Sequence, residues 1–337
     1  MTDLAVRELR VLVAVAGAGS FTGAAERLGT TQSAVSHTVR ACERKLGAVL
    51  FDRGRHGARP TAAGRAPAAQ ARRVLRLLDG IADEVRGAAT GEPSGTVRVA
   101  AFRSAAAHLL PGALAALGVR HPDVAPRVRI VPDLGPGTPG EVVAGRADLA
   151  IATLDGSAPL PPGLVRGALL AEPYALAHPA GAADPRTLPL VDWAENCSSC
   201  TRAWWSEQDW IPRATLDAGD DSVVLSMVAG GLGMAIMPAL ALLEAPATVA
   251  VADLGPGRPT RTVGYVTTPE LAGTRAVWAV IRELRAAART VLPLVRGAAA
   301  PVRAATATAL VAPDADAAAT ARRPSPRPVA RTARPPR

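Results

Sequence analysis

Along the first ninety residues, apolar positions recur with the spacing of helices. Leu9, Leu12, Val13 and Ala16 predict a first helix over residues 4–16 with Asp3 as its cap. Ser20 suits the N-cap of a second helix, which carries Ala24, Ala25 and Leu28 on one face and closes at Gly29. Thr31 suits the cap of a third, residues 32–46, whose inward stripe is Val35, Val39, Cys42 and Leu46. Gln32, Ser33, Ser36, His37 and Arg40 fall elsewhere on that wheel, within an arc of roughly 140°. Residues 50–60 form a glycine-punctuated basic hairpin. Thr61 then caps a long helix over residues 62–85, disturbed near Pro67, with Ala71, Leu75, Leu78, Ala82 and Val85 as a short heptad seam.

Beyond a linker at residues 87–95 the period changes. Strands are predicted at 96–102, 127–131, 148–153, 165–170, 174–177, 190–191, 214–217, 234–237, 248–252 and 262–267. Helices are predicted at 105–117, 201–209, 222–229 and 276–288, with a helical turn at 141–145. This alternation argues for an α/β domain with a mainly parallel sheet. The apolar run 223–243 is long enough to suggest a membrane span, but Gly230, Gly231, Gly233 and Pro238 interrupt it, so it reads as a buried helix, turn and strand. From Pro293 onward Ala, Pro, Arg and Thr dominate, a composition too poor in large apolar side chains to order itself. The expected units are therefore 1–61, a linker region 62–94, an α/β domain 95–292, and a disordered tail 293–337.

Charge sharpens this division. The net +9 is made of +7 over residues 1–80, +5 over residues 301–337 and −3 between them. A foldable basic segment followed by a mildly acidic domain points to nucleic acid at the N-terminal end. The front of the third helix favours the same partner: a merely solvated face usually carries Glu and Lys, whereas short amide, hydroxyl and imidazole groups suit base edges in a major groove. Arg40, and Arg53, Arg55 and Arg59 of the hairpin, are placed for phosphates. The rival is an α/β ligand-binding protein whose N-terminus only mediates assembly. No secretion-signal pattern opens MTDLAVRELR, so the chain is expected in the cytoplasm with no membrane partner.

Enzymatic chemistry finds no foothold. Gly135 to Gly140, GPGTPG, formally matches GxGxxG, but Pro136 and Pro139 remove backbone donors that a phosphate cradle needs. GxSxG, HExxH and P-loop patterns are absent, so no catalytic residue and no cofactor are expected. The pair Cys197 and Cys200 could be a redox dithiol, half a zinc site or two small loop residues. Zinc would need two more ligands from Cys42 and five scattered histidines, so no metal site is expected.

The stretch GSFTGAAERLGTTQSAVSHTVRACERKLGAVLFDRGRHGARPTAAG resembles the winged helix-turn-helix of the LysR-type transcriptional regulators. Phe21, Ala24, Ala25, Leu28, Gln32, Ser33, Ser36, Leu46, Gly47, Leu50, Phe51, Arg53, Thr61 and Gly64 carry the match. His37 stands where the family often has Arg, and Cys42 where it usually has Leu. Gly145 to Ile151 and Met227 to Pro238 are similar to the family's effector domain. The resemblance implies a winged helix-turn-helix with a dimerising linker helix, followed by a two-lobed effector domain like that of periplasmic binding proteins. It also implies a homodimer or homotetramer on double-stranded DNA with an interrupted dyad, RNA polymerase as a candidate partner, and a small-molecule effector between the lobes; Ser104 Oγ and the backbone N–H groups that open its helix suit an anionic oxygen on that effector. Gln32, Ser33, Ser36 and His37 are then the base contacts, and Arg40, Arg53 and Arg55 the phosphate contacts. Arg103, Ser104, Thr153, Ser198, Ser199 and Thr201 are the effector candidates, with oxidant sensing by Cys197 and Cys200 left open.

Overall fold

A computed structural model of the chain describes residues 3–54, 57–156, 159–197 and 201–298. Its first elements are α1 (Val6–Ala18), α2 (Phe21–Leu28), α3 (Gln32–Leu46), the hairpin β1 (Phe51–Gly54) and β2 (Gly57–Pro60), and α4 (Ala62–Thr90). Three caps set their ends: Ser20 Oγ accepts from Gly23 N–H at 3.0 Å, Thr31 Oγ1 from Ala34 N–H at 3.2 Å, and Thr61 Oγ1 from Gly64 N–H at 3.0 Å. The first helix departs from expectation. It starts at Val6, and Glu8 in place of Asp3 reaches back to the Ala5 N–H at 2.8 Å. A carboxylate in the first turn can take this orphan donor while also favouring the helix dipole. The same Glu8, 6% exposed, accepts from Lys45 of α3 at 2.8 Å, and this bond leads the causes that hold its carboxyl below the usual range. Leu12, Val15, Ala24, Ala25, Val35, Val39, Cys42, Leu50 and Phe51 close around one small core. Gly64 seats α4 against the hairpin, because a Cβ there would lie 1.9 Å from the Leu50 carbonyl oxygen.

α4 runs through Pro67 and five residues past the expected end at residue 85. Proline lacks one i to i−4 donor, here toward Ala63, and the helix tolerates a single such loss close to its start. Of the expected seam, Leu78, Ala82 and Val85 are exposed and only its first member, Ala71, is buried against its own chain. Val74 and Ile81 are exposed beside them, so that Val74, Leu78, Ile81 and Val85 also follow the four, three and four spacing of a heptad seam.

The second domain contains β3 (Gly95–Ala101), α5 (Arg103–His108), α6 (Leu110–Arg120), β4 (Val124–Ile130), α7 (Gly137–Val143), β5 (Leu149–Thr153) and β6 (Val165–Pro179). It continues with β7 (Leu190–Trp193), α8 (Ala194–Cys197), α9 (Thr201–Ser206), β8 (Ala214–Ala218), α10 (Asp221–Ala229), β9 (Ala235–Pro238) and α11 (Ala239–Leu242). β10 (Val249–Ala252), β11 (Thr260–Thr267), α12 (Pro269–Ala272) and α13 (Arg275–Ala298) complete it. One lobe is the sheet β6–β11–β5–β3–β4, covered by α6 and α13 through Leu110, Leu117, Ile281 and Leu284. The other lobe pairs the far half of β6 with β9 and β10 and adds the parallel pair β7–β8.

Two expectations fail for non-local reasons. The sheets are mixed, not mainly parallel: β3 runs parallel to β4 and β5, but β11 returns from the second lobe and inserts antiparallel between β5 and β6. The two strands expected at 165–170 and 174–177 are one strand of fifteen residues, β6. Pro173 does not break it because it sits where β6 changes partners, pairing Thr260 of β11 just before Tyr174 pairs Pro238 of β9. The last helix likewise continues through Pro293 to Ala298, so the first six residues of the expected tail are helical. The apolar run 223–243 resolves into α10, a glycine turn, β9 and α11, and among the described residues no helix is long and apolar enough to cross a membrane.

Candidate DNA interface and interlobe cleft

On α3, Gln32, Ser33, His37 and Arg40 are exposed on the surface of the small domain. The Ser33 and Thr31 hydroxyls share a hydrogen bond of 3.0 Å, which steadies the front of the helix. Ser36 differs from them: it is 7% exposed and counts with Val35, Val39 and Cys42 among the buried residues of α3. The reason lies in the wheel itself, where Ser36 stands only about 60° from Val39. Arg44, one turn beyond Arg40 and exposed, was not anticipated and extends the cationic edge of the face. Arg53 lies in β1 opposite Ala58; Arg55 lies outside the described residues. Cys42 is fully buried, and burial pushes its thiol up to about 11, so it is an inert core group.

Between the two lobes lies a cavity of about 250 Å³. Ser104, 2% exposed at the start of α5, and Thr153 at the end of β5 line it. Thr153 donates to Asp133 Oδ2 at 2.8 Å. Two other candidates do not reach it. Thr201 is wholly buried and is not among its lining residues, and the Arg103 guanidinium stands behind the wall, paired with Asp221 and, at 3.0 Å, with Glu244. Ser198, Ser199 and Cys200 lie outside the described residues. The segment Gly135 to Pro139 also borders the cavity, opening only the seven-residue α7, which starts earlier than the turn expected at 141–145.

The walls hold side chains that sequence reasoning missed: Asp133, Tyr174, Trp193, Glu195, Asp221 and Arg261. They come from the loop after β4 and from β6, β7, α8, α10 and β11, far apart in the chain, so only the fold assembles them. Burial, followed by the nearby charges of Asp221 and Asp133, pushes the Glu195 carboxyl up to about 7, although it accepts a hydrogen bond from the Asp133 backbone across the cleft. Arg261 joins the lobes beneath the cavity. It donates to Glu172 at 2.7 Å, lies over the Phe102 ring at 4.9 Å and reaches Ser104 Oγ at 3.5 Å. The other oxygen of Glu172, a residue with no exposure, accepts from the Leu240 N–H at 2.6 Å.

A second fully buried carboxylate ties the linker helix to the same domain. Asp148 accepts from Arg76 Nε of α4 at 2.8 Å and from the Arg98 N–H at 2.8 Å, and Arg76 also reaches the Thr96 carbonyl. α4 is thereby fixed to the root of β5 and β3, the strands whose far ends border the cleft.

A winged helix-turn-helix joined by a long helix to a two-lobed domain with a polar cleft is the build of a bacterial transcription regulator. Residues 6–65 match the family model for the bacterial regulatory helix-turn-helix protein, lysR family, and residues 90–289 match the LysR substrate binding domain. The chain belongs to the LysR family of transcriptional regulators. It is 36% identical over 258 residues to the probable HTH-type transcriptional regulator LrrA of Synechococcus elongatus, covering 74% of this chain and 86% of that protein. It is 35% identical over 251 residues to the small neutral protease regulatory protein of Streptomyces coelicolor, covering 69% and 77%. Full-length OxyR from Pseudomonas aeruginosa superposes with a TM-score of 0.65 at 23% identity, covering 84% of this chain and 98% of that one. Full-length CbnR, solved in complex with its target DNA, gives 0.57 at 24% identity, covering 83% and 100%.

Proposed function

We propose that the chain binds a dyad-bearing DNA site as a dimer and that a small molecule held between the lobes modulates this binding. The observation that carries the reading is the exposed Gln32, Ser33, His37 and Arg40 face on a helix whose N-terminus is fixed by Thr31 and whose back is buried in a core of its own. Gln32, Ser33 and His37 are the base-reading groups. Arg40, with Arg53 and Arg55 of the hairpin, grips phosphate.

One such helix reads too few bases for specificity, and two need a rigid connection. The exposed Val74, Leu78, Ile81 and Val85 stripe of α4 fits a second copy of itself, placing two recognition helices on successive turns of the duplex. The effector acts in the cleft: changing the angle between the lobes moves β3 and β5, and through Asp148 and Arg76 shifts α4. The family relationship supports a cytoplasmic, non-enzymatic role.

Footprinting of purified protein on the DNA flanking its own coding region tests the reading. His37→Ala should relax sequence choice, while Arg40→Ala should weaken all sites about equally and flatten the salt dependence. Failure to prefer any dyad fragment over scrambled competitor at low ionic strength would refute it.

A further inference from the structure

We propose that the groove between the small N-terminal domain and the sensor is a second ligand site, and that it takes a small polyphosphate, a nucleoside or sugar carrying two or more phosphates. The groove has a volume of about 530 Å³ and shares no lining residue with the interlobe cleft. Its walls are α1 and α2 on one side, α4 at the base, and β3, β4 and the turn after α7 on the other. Three separate parts of the chain therefore converge on it.

Charge decides what fits. Seven guanidiniums line the groove, and four of them have acidic partners: Arg76 and Arg98 share Asp148, while Arg129 and Arg146 share Glu141. The remaining three are without a carboxylate. Arg10 of α1 and Arg27 of α2 are exposed, and their guanidiniums have no ion pair or hydrogen bond among the described residues. Arg72 of α4 donates to the Ala144 carbonyl at 3.3 Å, a neutral acceptor. With Asp79 on the wall as a third carboxylate, the groove keeps an excess of four positive charges. Arg72 feels this crowding most: it is half-buried, and burial followed by the Arg146 charge draws its pKa down. An anion set between such guanidiniums relieves their repulsion, more so in a partly desolvated recess. Phosphate suits them best, because its oxygens accept both arms of a guanidinium fork and a polyphosphate offers several such sets in a row.

The shape favours a small molecule over a nucleic-acid strand. Two glycines let the walls approach: a Cβ at Gly17 would lie 3.2 Å from Arg27 Nη1, and one at Gly145 would lie 2.9 Å from Arg72 Cβ. Small-molecule sites span about 300–1,000 Å³, a range that includes this groove, whereas a duplex is too wide to be seated in it. Val13, Leu28 and Leu75 supply apolar surface for a base or sugar. A polyphosphate held by Arg10 and Arg27 on one side and by Arg72 and Arg146 on the other would cross-link the small domain to the sensor and fix how that domain sits on α4.

Equilibrium dialysis of the full-length protein against ATP, GDP and fructose bisphosphate, with AMP and citrate as controls, in about 0.15 M salt, tests the inference. At least one polyphosphate should bind at least tenfold tighter than AMP and citrate. Arg10→Glu and Arg27→Glu, at exposed positions without partners, should each weaken that binding at least tenfold with an unchanged melting temperature, and Arg40→Glu on α3 should leave it as it was. Citrate held as tightly as the polyphosphates would overturn the ligand class. Binding that survives both reversals on α1 and α2 would overturn the site, and no binding at all would overturn the proposal. Reversals that weaken affinity for DNA, with every polyphosphate inert, would make the groove a contact for the duplex backbone instead. The dialysis contains no DNA, so its outcome stands apart from the reading of α3 as the base-contacting helix.

Discussion

Glu172 and Arg261 form a buried ion pair at 2.7 Å, with side-chain exposures of 0% and 10%. Removing one partner of a buried ion pair leaves the other uncompensated, which costs about 3–5 kcal/mol. Glu172→Ala should therefore lower the urea midpoint severely. Glu172→Met combined with Arg261→Met should recover most of the loss, and an additive double variant would refute the coupling. Glu195 gives the opposite pH signature from an ordinary carboxylate. Its folded pKa of about 7 lies above the unfolded value of 4.5, so its stabilising contribution is complete below pH 4.5 and is lost as pH rises through 7. The charges facing it are Asp133, Asp221 and Arg261. Melting temperature should fall between pH 6 and 8, and Glu195→Gln should remove roughly 2–5 °C of that fall. An unchanged slope in the variant would mean that another group titrates. Glu172 and Arg261 stand 89 residues apart, a separation that leaves no local pattern, whereas the inward stripe of Val35, Val39 and Cys42 is legible from its spacing alone.

At the scale of elements, caps were legible because they are local chemistry. Ser20, Thr31 and Thr61 each need only a donor three residues away, and the resulting α2 and α3 occupy the stretches their periodicity marks. The seam on α4 was legible in part: Leu78, Ala82 and Val85 stay open as their spacing marks, but where its open side begins depends on what its own chain covers. Ala71 is covered and Ile81 is not. If α4 pairs with a second copy, Ile81→Asp should raise the dimer dissociation constant by at least tenfold in analytical ultracentrifugation and cut affinity for a dyad site correspondingly. A dimer indifferent to this change uses some other surface. The continuity of β6 was hidden in the same way: Pro173 is an ordinary strand breaker unless the sheet changes partner at that residue.

At the scale of the molecule, the two-domain order was readable from the change of period near residue 95, while the mixed sheet was not, because β11 fills a gap left over 100 residues earlier. Asp148 is the buried member of a set of contacts that join α4 to the α/β domain, beside Arg72 on the Ala144 carbonyl, Arg73 on Glu270 and Arg275 on the Gly87 carbonyl. If the proposed coupling runs through it, Arg76→Ala should leave affinity for DNA in the absence of effector within about threefold of the parent and weaken the effector's influence on it, as judged by footprints with and without ligand. A variant that retains the full response would place the coupling on another path.

The single ribbon of β6, common to both halves of the sensor, carries one last implication. Neither half can melt without stripping the other of part of the strand they share, so heat or denaturant should dissolve the sensor in one concerted step. Limited digestion should accordingly yield the sensor whole or in small peptides, never a surviving half. In a cell, damage to either half would send the entire sensor to proteolysis together.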